Sequence, residues 1–136
     1  MNQDWYGEGP VCVSMIICHD VIEDKRSSNK TVVNLFNAVG ATSLPATQQR
    51  MIVMATITNN RSETPLNLVV RTPSNKEELT AQGTLPPSQG DDAVDVLFEL
   101  HGMPIREYGT YQIELTSNGE RLAMRKFRCI QVRNQG

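Results

Sequence analysis

From Ala93 onward the apolar and polar positions separate cleanly: Val94, Val96, Phe98 and Leu100 share one parity, against Ala93, Asp95, Leu97 and Glu99. Successive side chains of an extended strand point to opposite faces, so this pattern predicts a strand with one face in a core. Leu66, Leu68 and Val70 repeat it, as do Tyr111, Ile113 and Leu115. Val11 to Cys18 is apolar almost throughout, which predicts a strand covered on both faces. Val33, Leu35 and Val39 share a parity and are expected on one strand face, with Phe36 on the other. Met51–Thr58 is another β-rich run, and Leu79–Leu85 a weaker one. In the last run Leu122, Met124 and Lys126 share a parity, whereas Phe127 and Cys129 fall on the other; this phase change predicts a β-bulge near Arg125.

Polar and Pro- or Gly-containing stretches separate these runs. Residues 1–10 form a polar lead-in, with Trp5 and Tyr6 expected to dock on the body, and residues 11–136 are expected to form one domain. Gly40–Arg50 and Leu85–Asp92 are expected to be the two long loops. Glu77–Gln82 is the only short segment with helical character, and Gly83 and Pro86 close it. About eight short strands with no convincing helix predict an all-β fold: an antiparallel β-sandwich, with a closed barrel as the second choice.

The segment Glu107-Tyr-Gly-Thr-Tyr resembles the tyrosine corner of immunoglobulin-like sandwiches, and Ser117-Asn-Gly is a turn signal after it. In such a corner Tyr111 bonds the backbone upstream, and Gly109 permits the conformation before it. Two longer stretches carry a family resemblance. One is Ile17-Cys-His-Asp-Val-Ile-Glu-Asp with Lys30-Thr-Val-Val-Asn-Leu-Phe-Asn-Ala-Val; the other is Tyr108-Gly-Thr-Tyr-Gln-Ile-Glu-Leu with Asn118-Gly-Glu-Arg-Leu-Ala-Met and Phe127-Arg-Cys-Ile-Gln-Val. They resemble a family of small bacterial β-sandwich proteins catalogued as a domain of unknown function. The resemblance implies a fold and a bacterial cytoplasmic setting. It implies no activity and no catalytic residue.

Charge narrows the partners. The 136 residues carry a net charge of −2, which argues against a general affinity for nucleic acid or anionic membrane. The first ten residues lack the pattern of a signal peptide, and no apolar run has the length of a membrane helix. Cys12, Cys18 and Cys129 cannot all pair within one chain and have no zinc-ribbon spacing; they are expected as reduced, buried thiols of a cytoplasmic protein. Phosphate-loop, nucleophile-elbow, H-E-x-x-H and C-x-x-C motifs are absent, and no cofactor is expected.

Four sets of residues remain as candidates. Cys18-His19-Asp20 joins a thiol, an imidazole and a carboxylate, but neighbours on a strand diverge. His19 and His101 both stand near predicted strand ends, so they could complete a metal site with Cys18 or Asp20 if those ends meet. The loop carboxylates Asp20, Glu23, Asp24, Asp91 and Asp92 match no calcium-loop spacing and are read as solvating turns. Arg121, Arg125, Lys126, Arg128 and Arg133 make the last strand basic. On an edge such charges block edge-to-edge pairing. Arg125 and Arg128 are also the candidates for contact with an acidic protein partner. The leading expectation is therefore a non-catalytic interaction module of a bacterial cytoplasm, using loops or an edge strand. A metal- or thiol-dependent enzyme at Cys18/His19/Asp20/His101, and a structural subunit of a larger, phage-derived or self-associating assembly, are the alternatives.

Overall fold

The computed structural model describes residues 9–87 and 92–133. Trp5, Tyr6 and Asp91, and with Asp91 half of the predicted loop Leu85–Asp92, lie outside the described residues. The described residues form nine strands: β1 (Val11–Glu23), β2 (Lys30–Leu35), β3 (Ala38–Ala41), β4 (Ala46–Thr58), β5 (Thr64–Arg71), β6 (Glu77–Leu85), β7 (Val94–Ile105), β8 (Gly109–Ser117) and β9 (Glu120–Gln131). They form a four-stranded sheet, β2-β1-β4-β7, and a five-stranded sheet, β3-β9-β8-β5-β6. The described residues contain no helix; Glu77–Gln82 is strand. All pairings are antiparallel except β3–β9, which is parallel.

The alternating positions face one another across the two sheets. Ile17, Met51, Val53, Phe98 and Leu100 from one sheet meet Leu66, Leu68, Val70, Tyr111, Ile113 and Leu115 from the other. Burial of such side chains stabilises the fold by about 1.5–3 kcal/mol each. The Tyr111 ring stacks on Phe127, with centroids 5.2 Å apart. Its hydroxyl donates to the Glu107 carbonyl at 3.0 Å and accepts the Glu107 N–H at 3.3 Å. The tyrosine corner is therefore formed, and the molecule is an immunoglobulin-like sandwich.

Three departures from the sequence reading matter for function. The stretch from Gly40 to Arg50 is mostly strand; only residues 42–45 connect β3 to β4, through a cis Leu44–Pro45 bond. Val33, Leu35 and Val39 do not share a strand. The chain leaves the four-stranded sheet after Leu35 and enters the five-stranded one at Ala38, so Phe36 and Asn37 form a crossover. The Phe36 N–H bonds the Ile17 carbonyl, and the Arg128 N–H bonds the Asn37 carbonyl, each at 3.0 Å. Finally, the bulge lies at Leu122 rather than near Arg125: Leu115 pairs with Ala123, but Thr116 pairs with Arg121. Arg125 consequently shares the inward parity of Ala123 and Phe127.

The β1–β2 hairpin adds a partial third layer. Lys30, at its far end, lies 3.4 Å from Asp95 on β7, although β1 and β4 separate β2 from β7 in the sheet. Asp95 is level with Thr56, and Lys30 with Glu23, so the hairpin must fold back across the outer face of the four-stranded sheet. This accounts for Cys18 and Ile52, which belong to that outer face yet are 0% and 1% exposed. The Val21/Val32 side of the hairpin is half-buried, whereas Ile22, Val33 and Leu35 remain exposed.

Candidate functional site

Of the residues proposed for a metal or thiol site, Cys18, Asp20 and His101 lie on one sheet face and His19 on the other. Cys18 pairs with Ile52 and faces outward from the four-stranded sheet; His19 has the opposite, inward parity. The Asn34 amide N–H donates to His19 Nδ1 at 2.6 Å, and the His19 ring tilts against Phe36 with centroids 5.5 Å apart. Both rings line a shallow cavity of about 200 Å³ beside Val39 and Gly40. His101 lies in register with Arg50, on the outer face. The two histidines therefore have opposite parities with respect to the four-stranded sheet. His101 Nε2 is 3.2 Å from Glu99, while Arg50 reaches Asp20 at 3.2 Å and Glu99 at 3.7 Å. Asp20 is thus an ion-pair partner of Arg50. Among the described residues no group of three or more His, Cys, Asp or Glu side chains could hold a metal ion.

The thiols are in unreactive surroundings. Burial raises all three: Cys129 is pushed up to about 11, and Cys12 and Cys18 lie above the ordinary thiol value for the same cause, with main-chain hydrogen bonds partly opposing it. A nucleophilic thiolate needs the opposite, a lowered value beside cations or a helix N-terminus.

The basic strand β9 is a different matter. It is not a complete edge: β3 pairs with it over Arg128–Gln131. β2 likewise covers β1 only from Cys18 onward. Below the crossover at Phe36–Asn37, both strands therefore lack a neighbour on the same flank of the sandwich among the described residues. On β1 the vacancy is partly closed by Arg125. Its inward parity carries the guanidinium across the flank, where Nη1 donates to the Met15 carbonyl at 2.9 Å and Nη2 to Asn37 Oδ1. The expectation that Arg125 is a free partner-binding group gives way to an internal role, linking the two sheets.

On β9 no described residue pairs with the stretch below Arg128. Alternation from Arg128, whose N–H points to the crossover, directs the main-chain groups of Lys126 and Met124 toward the empty lane. Their side chains point outward. Met124 is 38% exposed, and Lys126 and Arg128 are exposed with no carboxylate within ion-pair distance among the described residues. Arg121, by contrast, lies 3.5 Å from Glu114. Met124 did not stand out in the sequence. The signal available was parity: reading inward positions back from Cys129 and Phe127 puts Arg125 inside and Met124 outside.

A family model, a family of unknown function (DUF6941), matches residues 13–130. The chain belongs to this family. The match runs from the first strand to the end of β9 and includes the free lane. Comparison with curated proteins returns no match. Among solved structures, the C-terminal domain of Wzt is similar with a TM-score of 0.51 and 8% identity, over 95% of this chain and 77% of that one; the similarity is one of fold. An immunoglobulin-like protein from Pseudomonas aeruginosa gives a TM-score of 0.47 and 13% identity over 91% and 98% of the two chains. The Pseudomonas fluorescens alkylpurine DNA glycosylase AlkC, bound to DNA containing an abasic site analog, gives 0.47 and 11% identity; the match covers 69% of this chain and spans 27% of the glycosylase.

Proposed function

We propose that this chain is a non-catalytic protein-interaction module that engages its partner through the flank of the sandwich below the crossover. The observation that carries the reading is the stretch of β9 beside β3 that, among the described residues, has no strand neighbour, where main-chain donors and acceptors stand next to an exposed methionine and to cations with no carboxylate partner among those residues. An open strand edge is a template for another chain, and native sheets generally cover or blunt such edges. The separation of His19 from Cys18 and His101, which lie on the other face of the sheet, favours this reading over a site built from all four candidate residues. Three free cysteines fit a setting in which thiols stay reduced, such as the cytoplasm. The test is affinity capture from native extract of the source cells, followed by sedimentation of the purified chain with any captured protein. A stoichiometric complex supports the module. A chain that captures nothing above background, and sediments alone with every candidate, rejects it.

A further inference from the structure

We infer that the partner contributes an extended segment with carboxylates at alternate positions, which adds to β9 as a strand in line with β3. This rests on the interaction-module reading and specifies its site and its ligand. Of the two vacant lanes on the flank, only one can accept a strand with both its donors and acceptors. The β1 lane is obstructed, because Met15 already has its carbonyl bonded to Arg125 and Val13 is the extra residue of a bulge. Along the β9 lane, from β3 past Lys126 to Met124, the strand carries no bulge and has no strand neighbour among the described residues, since the register with β8 is regular from Gly109↔Cys129 to Leu115↔Ala123.

Charge selects the occupant. Lys126 and Arg128 point outward at alternate positions, with Met124 next in the same row. A second copy of β9 placed in the lane would bring cations against cations, so the edge rejects self-pairing. An incoming strand that stops short of Asn37 would set one carboxylate beside Lys126 and another, at its end, diagonal to Arg128, whose own lane β3 occupies, and the aliphatic stem of the next acidic residue in the row would cover Met124. Its main chain would satisfy the N–H and C=O groups of Lys126 and Met124. The same cations that blunt the edge against like strands thus define the class of strand it admits.

The test uses the full chain and two synthetic ten-residue peptides, one alternating Glu and Val, the other alternating Lys and Val. Binding is read by NMR and by amide hydrogen exchange. The expected result is binding of the Glu/Val peptide alone, with the Met124 and Lys126 amides protected from exchange, and a loss of at least tenfold in affinity in the exposed double variant K126E/R128E. Equal binding of both peptides, or protection elsewhere with these amides unchanged, overturns the proposal. If K126E/R128E still captures the wild-type partner, the module stands and this site falls. If the wild-type chain captures no partner and binds neither peptide, both fall.

Discussion

Arg125 on β9 donates to the main-chain oxygen of Met15 on β1, at 2.9 Å, across the flank where neither strand has a neighbour among the described residues. The guanidinium stands where a strand would otherwise offer an N–H. It also bonds Asn37 in the crossover, so one side chain ties both sheets to the segment that connects them.

Arg125→Met keeps much of the aliphatic volume and removes both bonds. Hydrogen bonds from a charged donor contribute about 1.5–3 kcal/mol each, and the Met15 carbonyl would lose its partner. The expected loss in urea unfolding is therefore about 2 kcal/mol or more. A change within error would mean that water replaces the guanidinium at no cost.

Tyr111→Phe removes the hydroxyl that both donates to and accepts from Glu107. The ring stays packed on Phe127, so the variant should fold and lose about 1 kcal/mol. An unfolding midpoint equal to wild type would assign the corner's stability to the ring alone.

Lys30 holds the hairpin over the sheet through Asp95 at 3.4 Å, with Cys18 beneath. In Lys30→Ala the loss of a partly exposed ion pair is worth up to about 1 kcal/mol, or a factor of about five in the opening equilibrium. The Cys18 thiol should react correspondingly faster with a disulfide reagent, while Cys129 in the inter-sheet core should not change. Equal acceleration at both thiols would point to global loosening instead of hairpin release.

Cys129 sets a direction for alkaline stability. Its thiol titrates near 9.0 when unperturbed and at about 11 in the folded chain, because burial disfavours the thiolate. Between those values the unfolded chain has lost a proton that the folded chain keeps, so stability is fully present below about pH 9 and falls as pH rises toward 11. Tyr111, also raised by burial, acts in the same direction. Cys129→Ala should flatten part of this decline in denaturation measured from pH 8 to 11. An unchanged slope would show that the thiol does not contribute.

Alternation made most of the sandwich legible, because β5, β7 and β8 each bury one face and expose the other, and the Glu107–Tyr111 corner marked the fold type. Residues 30–41 were harder to read. Both β2 and β3 are short, and a chain that changes sheets between two strands keeps an extended pattern without keeping one face. The separation of His19 from His101 was hidden for a related reason: which sheet face each strand end presents depends on register, and register is set by partners far away in the sequence. Arg125 broke the apolar pattern because an arginine at an inward position reads as a phase error. It is tolerated there because the flank is open and its charge reaches main-chain oxygen.

The crossover at Phe36–Asn37 also acts as a pin. One sheet cannot slide along the other without pulling the Phe36 N–H from Ile17 or the Arg128 N–H from Asn37, and β2 and β3 anchor the chain on either side. A load applied along β9, such as tension from a strand docked beside β3, would therefore pass through two residues into β1 before the aromatic stack of Tyr111 and Phe127 began to shear.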